Sequence, residues 1–179
     1  NQGAAERIEK MGEDTNCVHM IGCPRMDIVA EIRDLHKDTP ADEILEKEGV
    51  GGHIDLSQPY LLVMQHPVTT EYGDGEAQIT ATLKAIQELH MPTVMMWPNA
   101  DAGAEDIARG MRKFREHNEH DYIRFYKNLP LDVFIPLMMH TACMIGNSSA
   151  AVREGSFLGT PAVNIGTRQT GRDHADNVI

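Results

Sequence analysis

Two kinds of hydrophobic pattern alternate along this chain. Residues 61–64 form a continuous apolar run of strand length. Ile79, Leu83 and Ile86 instead recur at helical spacing. These patterns predict strands over residues 18–21, 60–65, 93–97, 122–126, 143–145 and 161–165, and helices over residues 26–35, 41–48, 76–90, 104–118, 131–141 and 150–158. Such alternation predicts an α/β fold, in which helices cover both faces of a parallel sheet.

The chain begins and ends within a regular pattern of apolar residues. Ala4, Ala5 and Ile8 are spaced for one face of a helix over residues 1–12, and an apolar segment starts at residues 177–179. We therefore expect residues 1–15 to be a helical segment that continues from an absent N-terminal domain. We expect residues 16–179 to form one domain, truncated at its end, because 179 residues with 41% hydrophobic content suffice for one core.

Polar side chains follow five of the predicted strands. In open α/β sheets, ligands bind beyond the carboxyl ends of the parallel strands. The sequence therefore predicts that five loops meet along one edge of the sheet. These loops contain His66, Asn99, Leu129 with Pro130, residues 147–149, and residues 167–172.

The loop at residues 146–149 has the composition of an anion-binding cradle. It joins a short strand to a helix whose first residues are small, so unpaired backbone N–H groups and the hydroxyls of Ser148 and Ser149 can face a phosphate. Glu154 follows one to two turns later, where a carboxylate can accept hydrogen bonds from a ribose diol. The alternative is that Asn147, Ser148 and Ser149 only cap a helix.

Arg168 and Arg172 favour the anion-binding interpretation, because they follow the last predicted strand at the same edge. The chain carries a net charge of −11, which argues against binding nucleic acid or an anionic membrane through its overall field. An anion site in such a protein must be local.

His66 is the histidine whose position favours a role in this site, because Pro67 stiffens its turn and Thr69 and Thr70 add hydroxyls. His117 and His120 have a spacing that suggests a metal, but no third ligand accompanies them, so we expect no metal. Three cysteines without a CxxC spacing, and no apolar run near 18 residues, predict a reduced, cytoplasmic protein with no membrane span.

Five ordered motifs together resemble the UDP-N-acetylglucosamine 2-epimerases, and most of all their hydrolysing branch. The motifs are GCPRMD (22–27), QHPVTTE (65–71), WPNADAG (97–103), CMIGNSSAAVRE (143–154) and GTPAVNIGTRQTGR (159–172). The resemblance implies a three-layer Rossmann-like domain that forms the C-terminal half of a GT-B architecture. It also implies release of UDP and N-acetylmannosamine for sialic-acid-type sugar pathways, without a cofactor.

The same resemblance assigns roles to individual residues. Ser148 and Ser149 would bind phosphate, Glu154 the ribose hydroxyls, and Arg168 the diphosphate. Asn99 and the Leu129 backbone would line the nucleotide pocket. His66 would lie near the diphosphate and the reacting sugar and, if protonated, stabilise the departing UDP during elimination across C1 and C2. The acidic catalytic residues would belong to the absent N-terminal domain, and the full-length enzyme would be a homo-oligomer.

Two departures and two alternatives accompany this resemblance. Ala151 stands where hydrolysing members often have glycine, and HPVT and SSA stand where the non-hydrolysing branch has HRRE-like and SGG sequences. The second difference favours hydrolysis. A non-hydrolysing epimerase or related GT-B glycosyltransferase stays open as an alternative, as does a stand-alone nucleotide-binding or flavodoxin-like module.

Overall fold

A mostly parallel sheet of six strands lies at the centre of the computed structural model, which describes residues 1–41, 45, 49–117 and 119–179. In chain order the strands are β1 (Val50–Gly51), β2 (Leu61–Met64), β3 (Thr93–Met96), β4 (Ile123–Tyr126), β5 (Cys143–Gly146) and β6 (Ala162–Asn164). Their spatial order is β1-β4-β3-β2-β5-β6. Among the strands that the structure describes, only β1 and β4 pair antiparallel.

Helices lie on both faces of this sheet, as the alternating pattern predicts. The helices are α1 (Gln2–Lys10), α2 (Pro24–His36), α3 (Gly75–Leu89), α4 (Ala104–His117), α5 (Leu131–His140), α6 (Ser149–Val152) and α7 (Glu154–Leu158). Leu62 of β2 packs into a core with α2 and α5, whereas Leu61 and Val63 pack into a second core with α3 and α4. Within the described residues, no helix is both long and apolar enough to cross a membrane.

Five of the six predicted strands are confirmed, but the strand predicted over residues 18–21 is wrong. Met20 and Ile21 are exposed there, and the segment pairs with no strand of the described sheet. His19 interrupts the apolar run, so the segment lacks the continuous hydrophobic character of a strand buried on both faces. The remaining strand of the observed sheet, β1, was not predicted, because it has two residues and is flanked by glycines, which are uncommon in strands.

The helix predicted over residues 150–158 is broken at Arg153, whose φ of −107° and ψ of −76° separate α6 from α7. The four-residue α6 therefore has a much smaller dipole than the continuous helix would have had. The helix predicted over residues 41–48 falls largely outside the described residues.

The direction of the chain reverses at the centre of the sheet. From β2 the chain adds β3 and then β4 on one side, and it returns to place β5 on the other side of β2. In open α/β sheets the ligand-binding crevice lies at the carboxyl ends of two strands that are related in this way, here β2 and β5. The predicted loop cluster lies at this edge, because β2 to β6 all run parallel.

Gly146 permits the close approach of β5 to β2 at the crevice. Its φ is 137°, and a Cβ atom there would lie 2.1 Å from the carbonyl oxygen of Met64. Any side chain at this position would push the two strands apart at their carboxyl ends.

We expect Gly146→Ala to lower the free energy of unfolding by about 3 kcal/mol or more, because it adds a backbone clash to an unfavourable φ. Gly73→Ala is the matched control, since Gly73 has a φ of +99° but nothing within 4 Å of the added Cβ. The control should lose about 1–2 kcal/mol. Equal losses in urea denaturation would show that the approach of the strands is not the constraint.

Candidate functional site

The side chain of Asn147 joins the two loops that border the crevice. Its Oδ1 accepts a hydrogen bond from the backbone N–H of His66 at 2.7 Å, and its Nδ2 donates to the His66 carbonyl oxygen at 2.8 Å. Both residues are buried, with 2% of Asn147 and 1% of His66 exposed. The amide thus pairs with the backbone of His66 and fixes the position of that residue.

The ring of His66 is oriented by the loop after β3. Its Nδ1 accepts a hydrogen bond from the backbone N–H of Asn99 at 3.1 Å, so the ring proton resides on Nε2. Burial lowers the pKa of His66 to about 4, and the positive charge of Arg168 acts in the same direction, against the opposing effect of Asp101. This lowered pKa favours a neutral imidazole at pH 7, and the role of a protonated His66 stays a prediction.

Arg168 supplies the fixed positive charge beside this histidine. Its Nη1 donates to the Asn147 carbonyl oxygen at 3.2 Å, and its Nη2 lies 3.3 Å from Oδ2 of Asp101. The amide of Gln169 donates to the same Asn147 carbonyl at 2.7 Å. The guanidinium is thus oriented by two contacts, while 27% of the side chain stays exposed.

Glu154 lies at the start of α7, the short helix that follows the predicted cradle. The residue is 3% exposed, and its Oε1 accepts a hydrogen bond from Nε of Arg25. Its Oε2 is buried and has no hydrogen-bond partner among the described residues. A buried carboxylate oxygen without a partner is suited to accept a hydroxyl from a ligand.

The two serines of the cradle differ in their contacts. Oγ of Ser148 accepts a hydrogen bond from the Ala150 N–H at 3.2 Å, which is the helix-capping interaction considered as the alternative. Ser149 is half-buried and is the first residue of α6. Capping by Ser148 is therefore observed, and the phosphate roles of both serines stay predictions.

The structure joins three of the seven predicted site residues in one contact network. His66, Asn99 and Arg168 join one contact network through Asn147, and Glu154 is held separately by Arg25. Leu129 lies beyond β4 and packs its side chain against the α2–α5 core, so only its backbone fits the predicted role. Arg172 is exposed and donates its backbone N–H to the Gln169 carbonyl.

Sequence reasoning missed Asp101 and Arg25 as partners of predicted site residues. Asp101 stands two positions after Asn99 in WPNADAG, and Arg25 lies within GCPRMD. Both motifs were recognised by resemblance, but a motif alone does not show which distant side chain pairs with which. In the part of the chain that the structure describes, no group of three or more His, Cys, Asp or Glu side chains is placed to hold a metal.

The fold and its strand-end crevice define a Rossmann-like α/β domain of the GT-B type, as predicted. A family model described as UDP-N-acetylglucosamine 2-epimerase matches residues 1–179. The chain therefore belongs to the UDP-N-acetylglucosamine 2-epimerase family, and this part of the resemblance is confirmed.

Individual relatives agree with this assignment. The chain is 29% identical over 180 residues to the UDP-N-acetylglucosamine 2-epimerase of Neisseria meningitidis serogroup B, covering 100% of this chain and 44% of the relative. It is 25% identical over 178 residues to a UDP-N,N'-diacetylbacillosamine 2-epimerase (hydrolyzing) of Legionella pneumophila, covering 99% of this chain and 44% of the relative. The chain thus spans less than half the length of these curated relatives.

A solved structure shows the same fold. The UDP-GlcNAc 2-epimerase from Neisseria meningitidis, bound to UDP-GlcNAc, matches with a TM-score of 0.67. The match covers 91% of this chain and 42% of that chain, at 13% sequence identity.

The buried neutral histidine predicts a pH effect on stability. In the unfolded chain His66 binds a proton below pH 6.5, whereas in the folded protein it does so only near pH 4. The contribution of the neutral buried ring to the free energy of unfolding is therefore complete above pH 6.5 and is lost as pH falls towards 4. Between pH 7.5 and 5, wild type should lose about 2 kcal/mol more stability than His66→Gln. Denaturant titrations at the two pH values measure this difference. Parallel losses in both proteins would contradict a neutral buried His66.

Proposed function

We propose that this chain is the UDP-binding domain of a hydrolysing UDP-N-acetylglucosamine 2-epimerase. The supporting observation is the contact network at the carboxyl ends of β2 and β5, where loops place an oriented imidazole beside a fixed guanidinium. The buried carboxylate of Glu154, which has one oxygen without a partner among the described residues, lies at the start of α7. His66 and Arg168 would serve the diphosphate, and Glu154 would accept the ribose hydroxyls. Asn99 and the Leu129 backbone would line the nucleotide pocket, and Ser148 and Ser149 would donate to phosphate.

The electrostatics of the crevice suit a departing diphosphate. Elimination of UDP builds negative charge on the leaving group, and donors that are already oriented stabilise that charge more than they stabilise the ground state. Arg168 is oriented by Asn147 and Asp101, so little reorganisation is needed. His66, neutral with its proton on Nε2, contributes as a hydrogen-bond donor.

The hydrolysing outcome and the rest of the reaction are part of the proposal. HPVT and SSA stand where the non-hydrolysing branch has HRRE-like and SGG sequences, and one relative is named as hydrolyzing. The residue that takes the proton from C2 of the sugar would belong to a second domain of a longer enzyme. The 179-residue chain should therefore bind UDP but turn over nothing.

Calorimetry with UDP and UMP tests the nucleotide site. The chain should bind UDP more tightly than UMP, because Arg168 would bind the second phosphate, which UMP lacks. Arg168→Ala should weaken UDP binding about tenfold or more and reduce the difference between UDP and UMP. Arg112→Ala is the matched control, because this arginine forms an exposed ion pair with Glu105 within α4 and belongs to none of the loops that carry the predicted site. No heat with UDP, or tighter binding of FMN, would contradict the proposal.

Product analysis of the full-length enzyme separates the two branches. Incubation with UDP-N-acetylglucosamine should release free UDP and N-acetylmannosamine in equal amounts. A UDP-linked N-acetylmannosamine product would instead place the enzyme in the non-hydrolysing branch.

A further inference from the structure

The carboxylate of Glu154 is buried, yet it is only half satisfied. The residue is 3% exposed, its Oε1 is held by Arg25, and its Oε2 has no partner among the described residues. Burying a carboxylate carries a large desolvation penalty unless a positive charge and hydrogen bonds offset it. Arg25 is the positive charge that the structure pairs with this carboxylate.

Arg25 reaches Glu154 from a different part of the chain. It lies in the first turn of α2, 129 positions before Glu154, and 47% of its side chain is exposed. The neighbouring residues make a second contact, because Nη2 of Arg153 lies 3.2 Å from Sγ of Cys23. Two adjacent contacts thus fix the start of α2 against the start of α7.

We propose that Arg25 is the positioning residue that makes Glu154 selective for the ribose of the nucleotide. Arg25 occupies Oε1 and prevents rotation of the carboxylate about its terminal bond. Oε2 is then the oxygen that accepts a ribose hydroxyl. Arg25 acts only through Glu154 and need not touch the ligand.

This inference rests on the proposed UDP site and adds a property to it. If Arg25 orients the acceptor, its loss must weaken recognition of the hydroxyl and leave recognition of the diphosphate in place. A merely structural role would weaken binding of ribo- and deoxyribonucleotides equally. The ratio of the two affinities is therefore the quantity to measure.

Calorimetry on the 179-residue chain with UDP, 2'-deoxy-UDP and 3'-deoxy-UDP provides this ratio. Wild type should prefer UDP to at least one deoxy analogue by about tenfold, the scale of a hydrogen bond to a charged group. In Arg25→Ala the preference should fall to about threefold or less. The double variant Arg25→Ala/Glu154→Ala should bind UDP no more weakly than Glu154→Ala alone, because Arg25 acts through the carboxylate.

Two further variants keep the test decisive. Arg25→Ala leaves a buried charge unpaired, so Arg25→Lys is measured alongside it. Lysine keeps the charge but cannot reproduce the planar guanidinium contact, and the preference should still fall at least about threefold. Arg112→Ala removes an exposed ion pair with Glu105 on α4 and should leave the ratio unchanged.

The outcomes separate failure of this inference from failure of the proposed function. A full ribose preference in both Arg25→Ala and Arg25→Lys, or in the one that folds, would overturn the positioning role while the UDP site stands. Equal weakening for all three ligands would also overturn it. Absence of UDP binding by folded wild type would overturn the proposed function itself.

Discussion

The close parallel pairing of β5 with β2 is the constraint on which the rest of this domain depends. It requires Gly146, because a Cβ atom there would meet the carbonyl oxygen of Met64 at 2.1 Å. The next residue, Asn147, can then pair its amide with the backbone of His66. The backbone of Asn147 in turn accepts from Arg168 and Gln169. Strand spacing, loop position and side-chain orientation thus follow from one contact between two central strands.

The positive charge of Arg168 is oriented and partly shielded, as the anion site proposed for this acidic protein requires. The net charge of −11 gives the chain no general attraction for phosphates. Arg168 acts at short range, in a crevice where less water screens its charge. Burial keeps His66 neutral, which avoids a second cation that would repel Arg168 in the same small space.

The sequence predicted the layers of the fold and most strands to within a residue, because buried parallel strands appear as short apolar runs. It could not predict β1, a two-residue edge strand with glycine, or the break at Arg153 inside a segment with continuous helical character. Of the five loops predicted to meet, contacts join the four that contain His66, Asn99, Asn147 and Arg168, but the sequence did not predict which side chains pair. Arg25 and Glu154 are 129 positions apart, and their pairing depends on how α2 packs beside α7, which no local pattern encodes.

One margin of the described sheet is closed by a very short strand. There β1 contributes only Val50 and Gly51, and it runs antiparallel to β4. Long unpaired edges invite strand addition by other chains, and two residues offer almost no ladder for it. Growth of the sheet by recruitment of a foreign strand is thereby discouraged at this margin.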